Sequence, residues 1–404
     1  MEFMREFETL GHMSVISPNE HVTEDRLCYL PHHRVLREAT NKLRVVFNGS
    51  QYTRDGHSLN GTLMIGPNLL PRLADILLAW RRHRFVFATD VEKMYRQILV
   101  YPDDRDLQRI LWRSTSGLQF RLNTVTYGLA SAPFLAIRTL QQLAVDEGDR
   151  FPLGASVLRT KVYVDDILTG ASSGAETMLA ANNERLLEGI PEEHHTAGGP
   201  LTLQALDATQ STLGLEWDPC RDSFSFIIRL GGESATTKCD ILSQAAQLFD
   251  PLGWMSPVTI RAKCIIQTTW LRRMGWVERL PDDDVAAWRT FDQDLSQLLS
   301  LRIPRWVGLD RPGGAVEVHG FSDASERAYA AALYLKTSES SDVRVSLLLA
   351  KTKVAPLRQI SLPRLELCAA SFLVKIAAHA VEVLKIPSSV VHLWSDSTVA
   401  LGWI

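Results

Sequence analysis

The sequence predicts a mixed α+β chain of more than one domain, on three observations. Strand-like and helix-like runs alternate between about 31 and 215. A block from 216 to 314 gathers Trp254, Trp270, Trp276, Trp288 and Trp306 among turns such as "DPLGWMSP" and "RPGGA". From Val316, three strand-like runs lead into a long apolar helix and one more strand. With 404 residues, 46% of them hydrophobic and 22% charged, the chain can bury two or three cores.

Taken in order, residues 1–30 read as a short helix and a loop, an N-terminal partial segment of a larger protein. Over 31–215, β-branched and aromatic residues predict strands at Leu43–Phe47, Phe85–Ala88, Ile110–Trp112 and Val162–Leu168. Apolar positions at helical spacing predict helices at Leu69–Trp80, Pro133–Leu143 and Ala175–Gly189. The Trp-rich block of 216–314 ends at a Gly-Gly. In 315–404, "VEVHGFSDAS", "AYAAALYL" and "RVSLLLAKTKV" predict strands, followed by a helix over Pro363–Leu384 and the strand "VVHLWSDS".

Composition removes several function classes. The five cysteines, Cys28, Cys220, Cys239, Cys264 and Cys368, are odd in number and form no CxxC, so neither a disulfide framework nor a zinc site is indicated, and a reducing compartment fits. The N-terminus is acidic where a secretion signal is basic, and no run of 18 apolar residues occurs, so no membrane span is expected. A formal net charge of −3 argues weakly against nucleic-acid binding as a bulk property. Local basic clusters, "RRHR" at 81–84, Arg34, Arg37, Lys42, Arg44 and "RR" at 272–273, read either as the lining of a groove or as solvated faces.

The stretch "KVYVDDILTG" at 161–170 sets Asp165 and Asp166 within an apolar run, where an unpaired carboxylate is costly to bury. A hairpin with both acids at its tip would turn them toward a cation. A further acid, Asp90, ends the apolar run of "FVFATDVEKMYRQI". Two-metal phosphoryl transfer uses carboxylates converging from separate segments on ions about 4 Å apart, and these three acids are such a set. Alone, Asp90 reads equally well as a helix N-cap.

In order along the chain, "YLPHHRVLREATNKLRVVFNGS", "TDVEKMYRQI", "YGLASAPF", "YVDD", "LGLEWDP", "LFDPLGWMSPVTIRAK", "SLPRLELCAA" and "LWSDSTVALGWI" resemble a polyprotein of the Pao/BEL type of long-terminal-repeat retrotransposon. The resemblance implies an α+β fold: right-hand polymerase fingers and palm over 31–215, a thumb or connection-like region over 216–314, and a ribonuclease H-like α/β domain over 315–404, cut short at its C-terminus. It implies an RNA-directed DNA polymerase with Asp90, Asp165, Asp166 and the Val91 carbonyl as ligands of two Mg2+ ions, for which Mn2+ can substitute. Lys42 and Arg44 match positions that meet the incoming triphosphate, Tyr95 the residue beneath the sugar, and Tyr127 and Gly128 the passage of template and nucleotide. From the residues alone, these read as an exposed strand edge, a core aromatic and a helix-entry turn. Asn48 stands where the group often has Asp.

The same resemblance makes Asp323, Glu366 and Asp396, in the order strand, helix, strand, ligands of a second two-metal site that hydrolyses RNA paired to DNA. A fourth ligand is expected beyond Ile404, so ribonuclease H activity is expected to be lost, and the helix face around Leu373, Ile376 and Val381 to lie open. Implied partners are an RNA and DNA template-primer, deoxynucleoside triphosphates and other parts of the retroelement polyprotein, with no membrane. The implied setting is a cytoplasmic virus-like particle, with the nucleus as the alternative. Two other functions stand beside the polymerase. One is an inactive remnant that at most binds nucleic acid. The other is an aspartic peptidase, since residues 216–380 resemble a segment described as a Pao retrotransposon peptidase, yet the chain has no Asp-Thr-Gly or Asp-Ser-Gly.

Overall fold

The computed structural model describes residues 2–17, 27–37, 42–114, 118–171, 201–203, 215–228, 235–309, 314–339 and 342–404. The helix expected over Ala175–Gly189 lies outside these residues. The chain divides into two units: Met1–Pro71 with Thr89–Ile167, and Arg72–Ala88 with Leu168–Ile404.

The strands of the first part of the chain are β1 (Met13–Val15), β2 (His32–Arg37), β3 (Lys42–Phe47), β4 (Phe85–Asp90), β5 (Arg109–Leu111), β6 (Gln119–Leu122), β7 (Val162–Tyr163) and β8 (Asp166–Ala171). They form sheets in the orders β1–β6–β5, β2–β3 and β4–β8–β7. In the first unit, helix Glu2–Thr9 buries Met4 and Phe7 against Phe47, Ile110, Phe120 and Leu122. Helix Ala132–Asp146 starts with proline in its first turn, where a missing N–H costs nothing. Its buried stripe, Ala136, Ile137 and Leu140, packs with Met94, Val162 and Val164. This cluster supports the β7–β8 hairpin from below.

The second unit contains helix Leu73–Trp80 and the strands β9 (Leu201–Leu203), β10 (Leu215–Asp218), β11 (Ser223–Phe226), β12 (Ile303–Pro304), β13 (Ala315–Ala324), β14 (Ala328–Glu339), β15 (Asp342–Val354) and β16 (Val391–Ser395). One sheet runs β12–β11–β10–β9 and the other β15–β14–β13–β16. In the latter only β13 and β16 are parallel, and helix Leu362–Leu384 makes the crossover that a parallel pair needs. That helix is long and apolar enough to cross a membrane by length and composition. Its stripe of Leu365, Ala369, Leu373, Ile376 and Ala380 is instead buried, and the helix packs on β13 and β14. The expectation of an open face around Leu373, Ile376 and Val381 is therefore corrected: Leu373 and Ile376 have relative exposures of 2% and 8% and Val381 is half-buried, because β13, β14, β16 and helix Leu73–Trp80 all pack against this helix.

An extra residue interrupts β15. Leu333 faces Leu349 while Tyr334 faces Leu347, so Leu348 is bulged and its carbonyl leaves the ladder. Arg81 and the Trp254 indole both donate to that carbonyl, at 3.0 and 3.1 Å. Arg81 also donates to the carbonyls of Leu347, Pro304 and Arg305. The "DPLGW" turn holds Trp254 in place. The Asp250 carboxylate accepts the N–H groups of Trp254 and Met255, and Gly253, at φ +73°, lies so close to the Ala350 carbonyl that a Cβ would stand 1.6 Å from it.

Candidate carboxylate sites

β7 and β8 pair Tyr163 with Asp166 and Val162 with Ile167, leaving Val164 and Asp165 as a two-residue turn. Val164 sits at φ +61°, a conformation that a β-branched residue adopts only under constraint. Its side chain is buried in the cluster beneath the hairpin. The Val91 N–H, immediately after β4, donates to the Asp165 carbonyl at 2.8 Å and ties the strand end to the hairpin tip. As a result, one carboxylate oxygen from each of Asp90, Asp165 and Asp166 lies within 4.8 Å of the others. Asp90 caps no helix: Lys93 holds the N-cap position of the 3-10 turn Met94–Gln97.

Three acids so close oppose one another's ionisation. Burial, then Asp165 and Asp90, push the Asp166 carboxyl up to about 7. Burial first, with Asp165 and Glu92 adding to it, also raises Asp90.

The other residues of this group fall in two places. Tyr95 packs with the hairpin cluster, and burial, with the Asp165 charge, raises its phenol. The Val91 carbonyl accepts the Met94 N–H at 3.1 Å. Around β3, Arg44 is exposed, while Lys42 begins the strand and its side chain lies outside the described structure. The Tyr127 hydroxyl donates to the Val45 carbonyl at 2.7 Å, and burial pushes it up to about 12. Gly128, at φ +95°, passes so near β3 that a Cβ would stand 2.2 Å from the Phe47 carbonyl. Asn48 accepts the Ser50 N–H. Among the described residues, no hydrogen bond or ion pair joins this β3 group to the three acids.

In the second unit, Asp323 stands near the end of β13, Asp396 directly follows β16, and Glu366 lies in the second turn of helix Leu362–Leu384. Their carboxylate oxygens also come within 4.8 Å of one another. Glu366 is 91% buried, and its Oε2 has no hydrogen-bond partner. Burial first, then Asp323 and Asp396, raise its carboxyl. A buried oxygen left without a donor and facing two acids is suited to a cation.

Residues 237–397 match the family model of the Pao retrotransposon-like RNaseH-like domain. The match supports a Pao retrotransposon polyprotein region and a nucleic-acid-processing enzyme family, and all three acids of the second site fall inside it. The matched stretch begins at Thr237, whose side chain forms a capping box with Asp240 at the start of helix Lys238–Ala246. It therefore includes the helices before the sheet as well as the sheet. Its description is RNaseH-like, where the sequence alone also left a peptidase open. A search of curated proteins returned no match.

One sequence reading is corrected here. Of the "RRHR" cluster, Arg81 cannot line a groove, because it is fully buried and bonded to four carbonyls, and Arg82 donates to the Leu384 carbonyl.

The structure also brings out a pattern that the sequence analysis passed over. "HGFSD" at 319–323 and "HLWSD" at 392–396 repeat one arrangement, and the parallel register sets His319 opposite His392 and Phe321 opposite Trp394. Alternation along a strand puts each aromatic residue on the face of the acid two residues on. That repeat was the available signal.

Proposed function

We propose that this chain is the reverse transcriptase and ribonuclease H-like portion of a Pao/BEL-type retroelement polyprotein. Its reaction is extension of a DNA primer on an RNA or DNA template with deoxynucleoside triphosphates. The observation that carries this reading is the convergence of Asp90, Asp165 and Asp166 from two segments at a strained hairpin tip. Three carboxylates within 4.8 Å of one another, with Asp166 and Asp90 raised first by burial and then by the neighbouring charges, fit a magnesium or manganese pair, held by them and the Val91 carbonyl. When bound, such a pair lowers the pKa of the primer hydroxyl and offsets the charge of the triphosphate.

The protein's own side chains do the rest. Tyr95 forms a wall beneath the sugar and collides with a 2′-hydroxyl. Lys42 and Arg44 bind the triphosphate through charge-assisted hydrogen bonds and orient it. Asp323, Glu366 and Asp396 form the ribonuclease H-like site, where the unpartnered Glu366 oxygen supports a cation.

Primer extension on poly-rA/oligo-dT with magnesium or manganese tests the polymerase. Extension by the parent and its loss in Asp165→Asn are expected. An inactive parent, or a variant as fast as the parent, overturns the assignment.

A further inference from the structure

Within the first unit, helix Glu2–Thr9 touches both groups of residues around the three acids, the turn that follows Asp90 and the strand β3. Glu6 Oε1 accepts a hydrogen bond from the Arg96 guanidinium at 2.8 Å and pairs with Lys93 Nζ at 3.0 Å. The Arg96 side chain is buried, and its guanidinium lies over the Phe7 ring at 4.5 Å and the Phe3 ring at 6.0 Å, so a carboxylate and two rings of the same helix surround this charge. The Arg96 bond, with Lys93 adding to it, holds the Glu6 carboxyl below its usual range. Lys93 sits at φ +52°, an uncommon conformation for a residue other than glycine, and its carbonyl accepts the Arg96 and Gln97 N–H groups at 2.7 and 3.2 Å. The turn Met94–Gln97 is therefore gripped from the helix through Lys93 and Arg96, while Met94 and Tyr95 pack in the cluster beneath the hairpin. Toward β3, Phe7 packs on Phe47 at 6.2 Å and Phe47 on Tyr127 at 5.7 Å. One helix thus braces the turn of Tyr95 and the strand of Lys42 and Arg44.

From this arrangement we propose that Glu6 is a positioning residue of the nucleotide site, which fixes the turn of Tyr95 through Lys93 and Arg96 and keeps it in step with β3 through its own helix. The inference rests on reading Asp90, Asp165 and Asp166 as a polymerase site. Glu6 is not a spare surface acid: without its charge, a buried guanidinium would be left uncompensated and the turn would lose its grip on the helix. A side chain that excludes a 2′-hydroxyl by collision discriminates only as well as it is held in place. A deoxynucleoside triphosphate reaches from its sugar at Tyr95 to its phosphates at Lys42 and Arg44. A change in the spacing of those two groups therefore weakens its binding and its sugar selection, and leaves the acids themselves in place.

The experiment compares the full 404-residue chain with Glu6→Gln, which keeps the shape of the side chain and removes its charge, and has two readouts. In EDTA, amide hydrogen exchange followed by mass spectrometry on the peptide holding Met94–Gln97 should be about tenfold faster in the variant, since a charged hydrogen bond that resists local opening is lost. With magnesium on poly-rA/oligo-dT, incorporation of a single dTTP or of its ribose counterpart is then measured. KM for dTTP should rise about fivefold while kcat stays within about twofold, and the preference for deoxyribose should fall about fivefold. Phe7→Leu, which keeps the core filled but removes the ring between Arg96 and Phe47, should shift KM in the same direction. A mere loss of folded protein lowers kcat alone. Unchanged exchange in Glu6→Gln would overturn the proposal whether or not the chain extends primers. Faster exchange with KM and sugar preference unchanged, or with a fall in kcat alone, would overturn it too. A parent that extends no primer, with faster exchange in the variant, would overturn the polymerase reading and leave the grip of Glu6 on the turn standing.

Discussion

At the residue scale, the acids of the first site conflict until a cation joins them, and Asp166 is the one most affected. Its carboxyl rises from 3.8 to about 7, through burial first and then Asp165 and Asp90. A raised carboxyl means that the folded state holds a proton which the unfolded chain has released, so stability falls as pH rises from about 4 to about 7. In EDTA, Asp166→Asn should therefore raise the melting temperature at pH 8, with the gain shrinking toward pH 4, and should abolish primer extension. A gain of equal size at every pH would show that repulsion is not its source. The acids were legible in the sequence because a carboxylate inside an apolar run contradicts its surroundings. The burial of Arg81 was not. Its carbonyl partners, Pro304, Arg305, Leu347 and Leu348, lie more than 220 positions further along, and nothing in "RRHR" signals them.

At the element scale, periodicity located the elements of 315–404 and several before residue 170, but none of the helices Lys238–Ala246, Ser256–Leu271 and Asp282–Asp294. The helix expected over Pro363–Leu384 is Leu362–Leu384, and the three strands before it are β13, β14 and β15, each with alternating burial over much of its length. The bulge at Leu348 left no trace in the sequence, because one extra residue in "RVSLLLAKTKV" keeps the run apolar throughout. Its carbonyl depends on Arg81 and Trp254. Arg81→Met removes the only charged donor to the Leu348 carbonyl among the described residues and strips a donor from three more carbonyls. Leaving buried carbonyls unpaired costs roughly 1–3 kcal/mol each, so a loss of at least about 3 kcal/mol is expected in the urea midpoint. Arg81→Lys should recover only part of it, since an ammonium cannot span four acceptors in a plane. A loss under about 1 kcal/mol in Arg81→Met would mean that water serves these carbonyls instead.

At the scale of the whole molecule, the chain order and the packing order differ. Helix Leu73–Trp80, which the sequence groups with the first domain, sits in the second unit, where Asp75 meets His379 at 2.6 Å and Trp80 packs on Trp217 at 4.7 Å. Residues 315–404 contain the whole β15–β14–β13–β16 sheet and its helix, and their sequence looks self-sufficient. Expressed alone they would lose Trp254, Arg81 and helix Ser256–Leu271 from β15. That fragment should show no cooperative thermal transition, whereas the full chain should. A sharp transition in the fragment, seen by near-ultraviolet circular dichroism, would show that the sheet stands without them.

The donor that Arg81 supplies to the bulged strand also bears on inheritance. A recombination crossover placed anywhere between residues 89 and 340 would deliver a β15 from one parent and an Arg81 from another. Offspring in which one parent carries the bulge and the other lacks the guanidinium would inherit an edge strand whose Leu347 and Leu348 carbonyls have both lost that donor. Exchange between diverging copies should thus spare lineages in which 72–88 and 342–354 descend together, although more than 250 positions separate the two segments.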